Sequence, residues 1–149
     1  MKNKYALITG GGKRIGSSIC KYLAAQGWQV IIHYNNSRFE AEKTLKEIET
    51  NNGKAFLIKA DLSSTNQIRK LIPRINKKYG QLSMLINNAS IFERDDIKSI
   101  SPKLLESHIN VNLKAPLFLS KDFASQLVKR NKGIIINFLD QSVLTFRPN

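Results

Sequence analysis

Apolar positions along the chain follow two spacings, one typical of buried strands and one typical of helices. Continuous apolar runs bounded by turn residues predict five strands, at 5–9, 28–34, 54–60, 82–87 and 134–138. Between these runs, apolar residues recur every three or four positions, which predicts four helices. The regular alternation of strand and helix predicts one α/β domain over residues 1–149, with a doubly wound parallel sheet covered by helices.

Capping residues locate the starts of the predicted helices. Ser37 with Glu40, and Ser64 with Gln67, have the three-residue spacing of a capping box. Pro102 suits a first helical turn, and the apolar spacing after it predicts one long helix ending near residue 130.

Composition narrows the class of protein. A chain of 149 residues with 42% hydrophobic content is sufficient for one packed core. The single cysteine, Cys20, excludes a disulfide framework and favours a reducing, cytoplasmic location. The chain shows neither a secretory signal nor an apolar run long enough for a membrane span. His33 and His108 are isolated from other metal-ligand residue types, so we predict no metal site.

The formal net charge of +13 is the unusual global property of the sequence. A basic chain can bind a polyanion, and a nucleic-acid-binding module is therefore one alternative. The cations are scattered at helix-surface spacing, however, which argues against a nucleic-acid partner.

A glycine-rich stretch, "TGGGKRIG" at 9–16, connects the first predicted strand to the first predicted helix. Glycines at such a turn let the backbone approach a pyrophosphate, and the start of the following helix favours its negative charge. The strand–turn–helix context therefore predicts a dinucleotide site.

The end of the second predicted strand bears on which dinucleotide binds. Sites for NAD usually place an Asp or Glu at this point, where it holds the ribose hydroxyls. This chain has "HYNNSR" at 33–38, with cations nearby at Lys13, Arg14 and Arg38. These residues suit a 2′-phosphate, so NADP(H) is the predicted cofactor.

Three further motifs make a family resemblance specific. "DLS" at 61–63, "NNAS" at 87–90 and "VNLKAP" at 111–116 follow the glycine loop in order along the chain. Together they resemble the short-chain dehydrogenase/reductase family, and most of all its pteridine reductases. Arg14, Ser90 and Asp140 depart from the commoner family pattern and agree with that subfamily. The resemblance implies a Rossmann-like sheet of order 3-2-1-4-5.

The resemblance also implies roles for individual residues. Asp140 and Asn112 would act in catalysis, Asn112 by organising a water in the proton relay. Phe92 would stack on a pterin ring, and Arg14, Ser90 and Asp140 would contact the same substrate. The implied cofactor-binding residues are Gly10, Lys13, Arg14, Ile15, Gly16, Asn35, Ser37, Asp61, Leu62, Asn88, Ala89 and Ser90.

The family's proton donor is a tyrosine with a lysine four residues later, which lowers the tyrosine pKa. The resemblance places this motif a little beyond Asp140, and no Tyr-x-x-x-Lys occurs in the sequence. The expectation is therefore a chain truncated before that motif and lacking the last strands and helices of the fold. Little or no turnover is expected from it alone.

The resulting prediction is an NADPH-dependent reductase that transfers hydride to a (dihydro)pterin ring. The full-length form is expected to be a homo-oligomer that acts on a small molecule, with no membrane or metal partner. A generic carbonyl or 3-oxoacyl reductase of the same family is one alternative. A non-catalytic NADP-binding remnant of a split or decayed gene is another.

Overall fold

The computed structural model of the chain describes residues 4–93, 96–127 and 132–140. Its five strands are β1 (Tyr5–Ile8), β2 (Gln29–Tyr34), β3 (Lys54–Lys59), β4 (Leu82–Asn87) and β5 (Ile134–Asn137). Its helices are α1 (Arg14–Ala25), α2 (Arg38–Thr50), α3 (Thr65–Lys78), α4 (Pro102–Ile109) and α5 (Ala115–Gln126), with a π-helical segment at Asn110–Lys114 between the last two. All five predicted strands are present, to within a residue at each end.

The strands form one parallel sheet of order β3-β2-β1-β4-β5, which confirms the predicted topology. Leu7 at its centre is paired with Ile31 on one side and with Leu85 on the other. The chain leaves β1 toward β2 and β3, and later crosses back to add β4 and β5 on the opposite side. Ligands of open α/β sheets bind at this reversal, outside the carboxyl ends of the strands.

The core has two layers, one on each face of the sheet. Alternate residues of β1 divide between them, because successive strand side chains point to opposite faces. Leu7 packs into the layer that α3 and α5 cover, whereas Ala6 and Ile8 pack into the layer that α1 and α2 cover. All three side chains are completely buried. Burying an aliphatic side chain of leucine size contributes about 1.5–3 kcal/mol, so the two layers together hold the sheet between its helices.

The prediction of one helical stretch after Pro102 is confirmed as far as Gln126, but the stretch is not α-helical throughout. Pro102 does open a helix, but α4 ends at Ile109, and five residues of π-helix separate it from α5. The last helix ends at Gln126, since Leu127 is extended. The predicted end near residue 130 lies outside the described residues.

One predicted capping box was wrong and the other is half right. Ser37 stands at the N-cap of α2, but its side chain makes no capping hydrogen bond, and Glu40 pairs with Lys13 instead. Ser64 does cap α3, because its Oγ accepts a hydrogen bond from the Gln67 N–H. The Gln67 side chain does not return to Ser64, since its Oε1 accepts from the Asp61 N–H at 2.8 Å.

Strand β5 forms one edge of the described sheet. It pairs with β4, and its three isoleucines are exposed although their residue type is typical of a core. No helix among the described residues is long and apolar enough to cross a membrane.

Candidate functional site

A cleft of about 780 Å³ opens at the carboxyl ends of β1, β2 and β4. It lies at the reversal of strand order, where open α/β sheets bind their ligands. Most residues predicted to form a site meet here: Gly10, Lys13, Arg14, Ile15, Gly16, Asn35, Ser37, Leu62, Asn88, Ala89, Ser90 and Asp140. Three predicted residues, Asp61, Phe92 and Asn112, do not line it.

The glycine loop between β1 and α1 forms the floor of the cleft. Gly10 has a φ of +63°, a conformation that glycine adopts without strain. A Cβ on Gly16 would lie 2.2 Å from the Gly10 carbonyl oxygen, so the two segments touch through bare backbone. A Cβ on Gly12 would lie 3.1 Å from the backbone nitrogen of Ala41 in α2. The loop therefore presents main-chain groups to the cleft.

Helix α1 begins at this loop and points its first turn toward the cleft. Its N-cap residue, Lys13, makes no side-chain capping hydrogen bond. The first N–H groups of a helix lack intrahelical partners and carry partial positive charge, which favours an anion. Arg14, at the first helical position, has a φ of +46°, a left-handed conformation that is strained for a residue with a Cβ.

His33 holds the glycine loop, a role that the sequence did not predict. Its Nδ1 accepts a hydrogen bond from the Gly10 N–H at 3.1 Å, so Nε2 carries the proton and donates to the Ala60 carbonyl oxygen at 3.0 Å. Burial lowers the pKa of His33 to about 4, although the Ala60 hydrogen bond and the Asp61 charge oppose the shift. The imidazole is thus a neutral bridge between two strand ends. A histidine inside the apolar run of β2 was the available signal.

Thr9 and Asn88 join the glycine loop to the loop that follows β4. Thr9 Oγ1 accepts hydrogen bonds from the N–H groups of Asn88 and Ala89, both at 2.9 Å. The Asn88 amide nitrogen donates to the carbonyl oxygens of Thr9 at 2.9 Å and Gly10 at 3.3 Å. The Asn88 side chain, predicted to contact a cofactor, therefore holds the two loops together. Thr9 was missed because it looked like the last residue of a strand.

Asn35 and Ser37 form the wall of the cleft that follows β2. The Asn35 amide donates to Asp61 Oδ1 at 3.4 Å. The same carboxylate oxygen accepts hydrogen bonds from the N–H and hydroxyl of Ser63. Asp61 therefore closes its own turn after β3 and steadies Asn35, while Leu62 beside it lines the cleft.

An ion pair crosses the mouth of the cleft. Lys13 Nζ lies 2.7 Å from Glu40 Oε1, and both residues line the cleft with Ser37. The hydrogen bond from Lys13 lowers the pKa of the Glu40 carboxyl.

Asn112 lies in the π-helical segment and binds the loop after β4. Its Oδ1 accepts from the Ile91 N–H and its Nδ2 donates to the Ile91 carbonyl oxygen, both at 2.9 Å. Phe92, the next residue, is 87% exposed, so it is not anchored in the core. Its ring is presented to solvent beside Ser90 and Ile91, which line the cleft.

Three further titratable residues are Asp140, Cys20 and His108. Asp140 follows β5 and lines the cleft. Cys20 is buried under the glycine loop, and burial raises its pKa to about 12. The imidazole of His108 accepts a hydrogen bond from the Glu93 N–H. Within 4–93, 96–127 and 132–140, no group of three or more His, Cys, Asp or Glu side chains could hold a metal ion.

Comparison with known proteins places this geometry among oxidoreductases. The sequence model of one family, described as short chain dehydrogenase, matches residues 4–147. A 3-oxoacyl-[acyl-carrier-protein] reductase of Staphylococcus epidermidis is 29% identical over 135 residues, which cover 91% of this chain and 55% of the relative. The chain thus spans about half the length of the curated relatives it matches.

Two solved structures share the fold in detail. One is FolM alternative dihydrofolate reductase 1 of Brucella suis in complex with NADP, with a TM-score of 0.88 and 34% identity. The match covers 97% of this chain and 60% of that one. The other is landomycin C-6 ketoreductase LanV with bound NADP and rabelomycin, with a TM-score of 0.86 and 28% identity. That match covers 97% of this chain and 61% of the ketoreductase.

Proposed function

The chain belongs to the short-chain dehydrogenase family, and we propose that it binds NADP(H) for hydride transfer to a (dihydro)pterin ring. The observation that carries the proposal is the composition of the cleft. A glycine cradle, a polar turn directly after β2 that has no carboxylate at positions 35–37, and the residues Arg14, Ser90 and Asp140 line one space.

The floor of the cleft fits a pyrophosphate. Gly10 and Gly16 touch through bare backbone, and a Cβ at Gly16 would collide with the Gly10 carbonyl oxygen and displace the loop. The uncapped first turn of α1 adds N–H donors and a positive dipole end. In this proposal the loop binds the pyrophosphate through main-chain groups, and His33 holds the loop in position from below.

The wall after β2 supports NADP(H) over NAD(H). Asn35 and Ser37 offer amide and hydroxyl groups, and Lys13 and Arg14 offer positive charge, as a 2′-phosphate requires. The Ser37 hydroxyl is not used to cap α2. The prediction of NADP(H) agrees with the related structures, which were crystallised with NADP.

The side of the cleft toward β5 supports a flat, polar substrate. Bound NADPH would supply a hydride at its nicotinamide ring. Asp140 and Arg14 offer a hydrogen-bond acceptor and donors to a pterin, whose ring carries both kinds of group. The exposed ring of Phe92 is close in sequence to Ser90 and offers a stacking surface. The Brucella dihydrofolate reductase adds support, since it is 34% identical to this chain.

A generic carbonyl or 3-oxoacyl reductase is the second candidate. The observations that favour it are the 29% identity to a 3-oxoacyl reductase and the structural similarity to a ketoreductase. The two candidates share the cofactor site and differ in the substrate that binds beside it. Only a pterin would need Asp140 as a hydrogen-bond acceptor.

Ligand binding separates the candidates without relying on turnover. NADPH and NADH are titrated by fluorescence, and a dihydropterin and acetoacetyl-coenzyme A are then titrated onto the NADP⁺ complex. The proposal expects tighter binding of NADPH than of NADH, and binding of the dihydropterin that Asp140→Ser weakens. Preference for the acetoacetyl thioester would favour the second candidate. Equal affinity for NADPH and NADH would contradict the cofactor assignment.

Self-association is the last part of the proposal. Leu105, Leu113 and Leu117 follow one another at near-helical spacing through α4, the π-helical segment and α5, and all three are exposed. An apolar stripe of this kind supports packing against a second copy. Light scattering after size-exclusion chromatography tests it, and a monomer at tens of micromolar would contradict it.

A further inference from the structure

Glu40 places a carboxylate where the proposed cofactor would bring its 2′-phosphate. It lies in the first turn of α2, three residues after Ser37, and lines the cleft together with Asn35 and Ser37. Its Oε1 is 2.7 Å from Lys13 Nζ in the glycine loop. A phosphate dianion recruited by Lys13 would therefore enter the range of a like charge.

The Lys13–Glu40 pair is open to solvent, so Lys13 is able to exchange Glu40 for another anion. The side chains are 52% and 40% exposed, respectively. Exposed ion pairs of this kind contribute little free energy, because water screens them and both side chains lose entropy on pairing. A phosphate with two negative charges is therefore a strong competitor for the lysine.

We propose that Glu40 is a counter-charge that limits the preference of this site for a 2′-phosphorylated adenosine. In the free protein it holds Lys13. When a 2′-phosphate binds, Lys13 transfers to the phosphate, and Glu40 remains beside it as an unpaired like charge. An adenosine without the 2′-phosphate leaves the pair intact. This inference rests on the proposed function, and it makes Glu40 a specificity residue with no part in the chemical step.

The same two regions of the chain contain a matched control. Lys21 of α1 pairs with Glu47 of α2 at 3.0 Å, with exposures of 44% and 39%. Neither of these two residues lines the cleft. If the Lys13–Glu40 pair served only to fasten the start of α1 to α2, removal of either carboxylate would have the same consequence for ligand binding.

The test uses Glu40→Gln and Glu47→Gln with two probes that differ only in the 2′-phosphate. Adenosine 2′,5′-bisphosphate and adenosine 5′-monophosphate are titrated calorimetrically onto the wild type and each variant. Glu40→Gln is expected to raise the affinity for the bisphosphate by about two- to five-fold, which corresponds to the interaction energy of an exposed charge pair. The monophosphate should be unchanged in Glu40→Gln, and Glu47→Gln should match the wild type for both probes. The gain should shrink at 0.5 M KCl, because salt screens the repulsion.

The outcomes separate this inference from the function on which it rests. If the wild type binds the bisphosphate, an unchanged or weaker affinity in Glu40→Gln overturns the inference alone. An equal gain for both probes, or an equal gain in Glu47→Gln, also overturns it. A wild type that binds neither the bisphosphate nor NADPH overturns the proposed function and the inference together.

Discussion

Asn112 binds both backbone groups of Ile91, accepting from its N–H and donating to its carbonyl oxygen at 2.9 Å each. This is the pairing that a neighbouring strand would provide, made here by one side chain of a π-helical segment. The irregular helix therefore positions the loop carrying Ser90 and Phe92 at the rim of the cleft. The predicted catalytic role of Asn112 stays a prediction, but its contact with Ile91 is a structural role of its own.

Asn112→Ala should loosen that loop before it affects the rest of the fold. Loss of two exposed hydrogen bonds is expected to cost about 1 kcal/mol in unfolding free energy. Amide exchange measured by mass spectrometry should rise for residues 89–93 and stay unchanged in the core strands. Asn51→Ala is the control, since Asn51, the exposed C-cap residue of α2, also donates a hydrogen bond to a backbone carbonyl, that of Glu47. Unchanged exchange at 89–93 would contradict the role assigned to Asn112.

Gly16→Ala should lower the free energy of unfolding more than Gly27→Ala, because Gly16 lies against the backbone of the glycine loop. A Cβ at Gly16 would meet the Gly10 carbonyl at 2.2 Å, whereas Gly27 has nothing within 4 Å and only its φ of +81° opposes a side chain. We expect Gly27→Ala to cost about 1–2 kcal/mol and to leave NADPH binding intact. Gly16→Ala should cost roughly 2–3 kcal/mol and abolish binding. Urea denaturation and NADPH titration measure the two effects, and equal losses of binding would contradict the cradle.

Cys20 offers a direct measure of whether the chain is folded. It is completely buried, its Sγ is 3.6 Å from the Gly11 carbonyl oxygen, and burial raises its pKa to about 12. Because the thiolate is the reactive form, alkylation by iodoacetamide at pH 8 should be about a thousandfold slower than in denaturant. It is the only cysteine in the sequence, so mass spectrometry reads it without ambiguity. Rapid labelling in native buffer would mean that the glycine loop does not pack as described.

The strands could be predicted because the signals that determine them are local, whereas the prediction of their order relied on the family resemblance. A continuous apolar run such as that of β4 belongs to a strand buried on both faces, and alternation with helices fixes a parallel sheet. The π-helical segment after α4 could not be predicted in this way. Asn110 donates to the Ser63 carbonyl, 47 residues away, and Asn112 reaches Ile91, 21 residues away. These partners are visible only once the chain is folded.

The same distinction between local and long-range signals applies to the residues of the cleft. The glycine loop could be recognised from the sequence, because its glycines and the helix that follows them are contiguous. The contact of His33 with the glycine loop was not predicted, because its bond to Gly10 spans 23 residues. The capping box at Ser37 failed for a similar reason, because Lys13 competes for Glu40 from a distant part of the chain. Local spacing predicts which residues are present at a site, and tertiary contacts decide what their side chains do.

His33 should make the stability of the protein depend on pH in a defined window. Its pKa is about 4 in the folded protein, lowered chiefly by burial, against about 6.5 when unfolded. Between these values the unfolded chain binds a proton that the folded chain does not, so stability falls as pH drops from about 6.5 to about 4. Above pH 7 both states hold the neutral imidazole, and His33 adds no pH dependence there. The full loss corresponds to about 3 kcal/mol.

His33→Asn isolates this contribution, because asparagine does not titrate. The variant is expected to be less stable than the wild type at pH 7.5, since it disturbs the bridge from Gly10 to Ala60. Its urea midpoint should nevertheless fall less steeply toward pH 4.5, so that the two curves converge in acid and run parallel above pH 7. Exposed carboxyls with lowered pKa, such as Glu47 and Asp96, are common to both proteins and cancel in the difference. Curves that stay parallel from pH 7.5 to pH 4.5 would show that the imidazole of His33 is not buried as a neutral bridge.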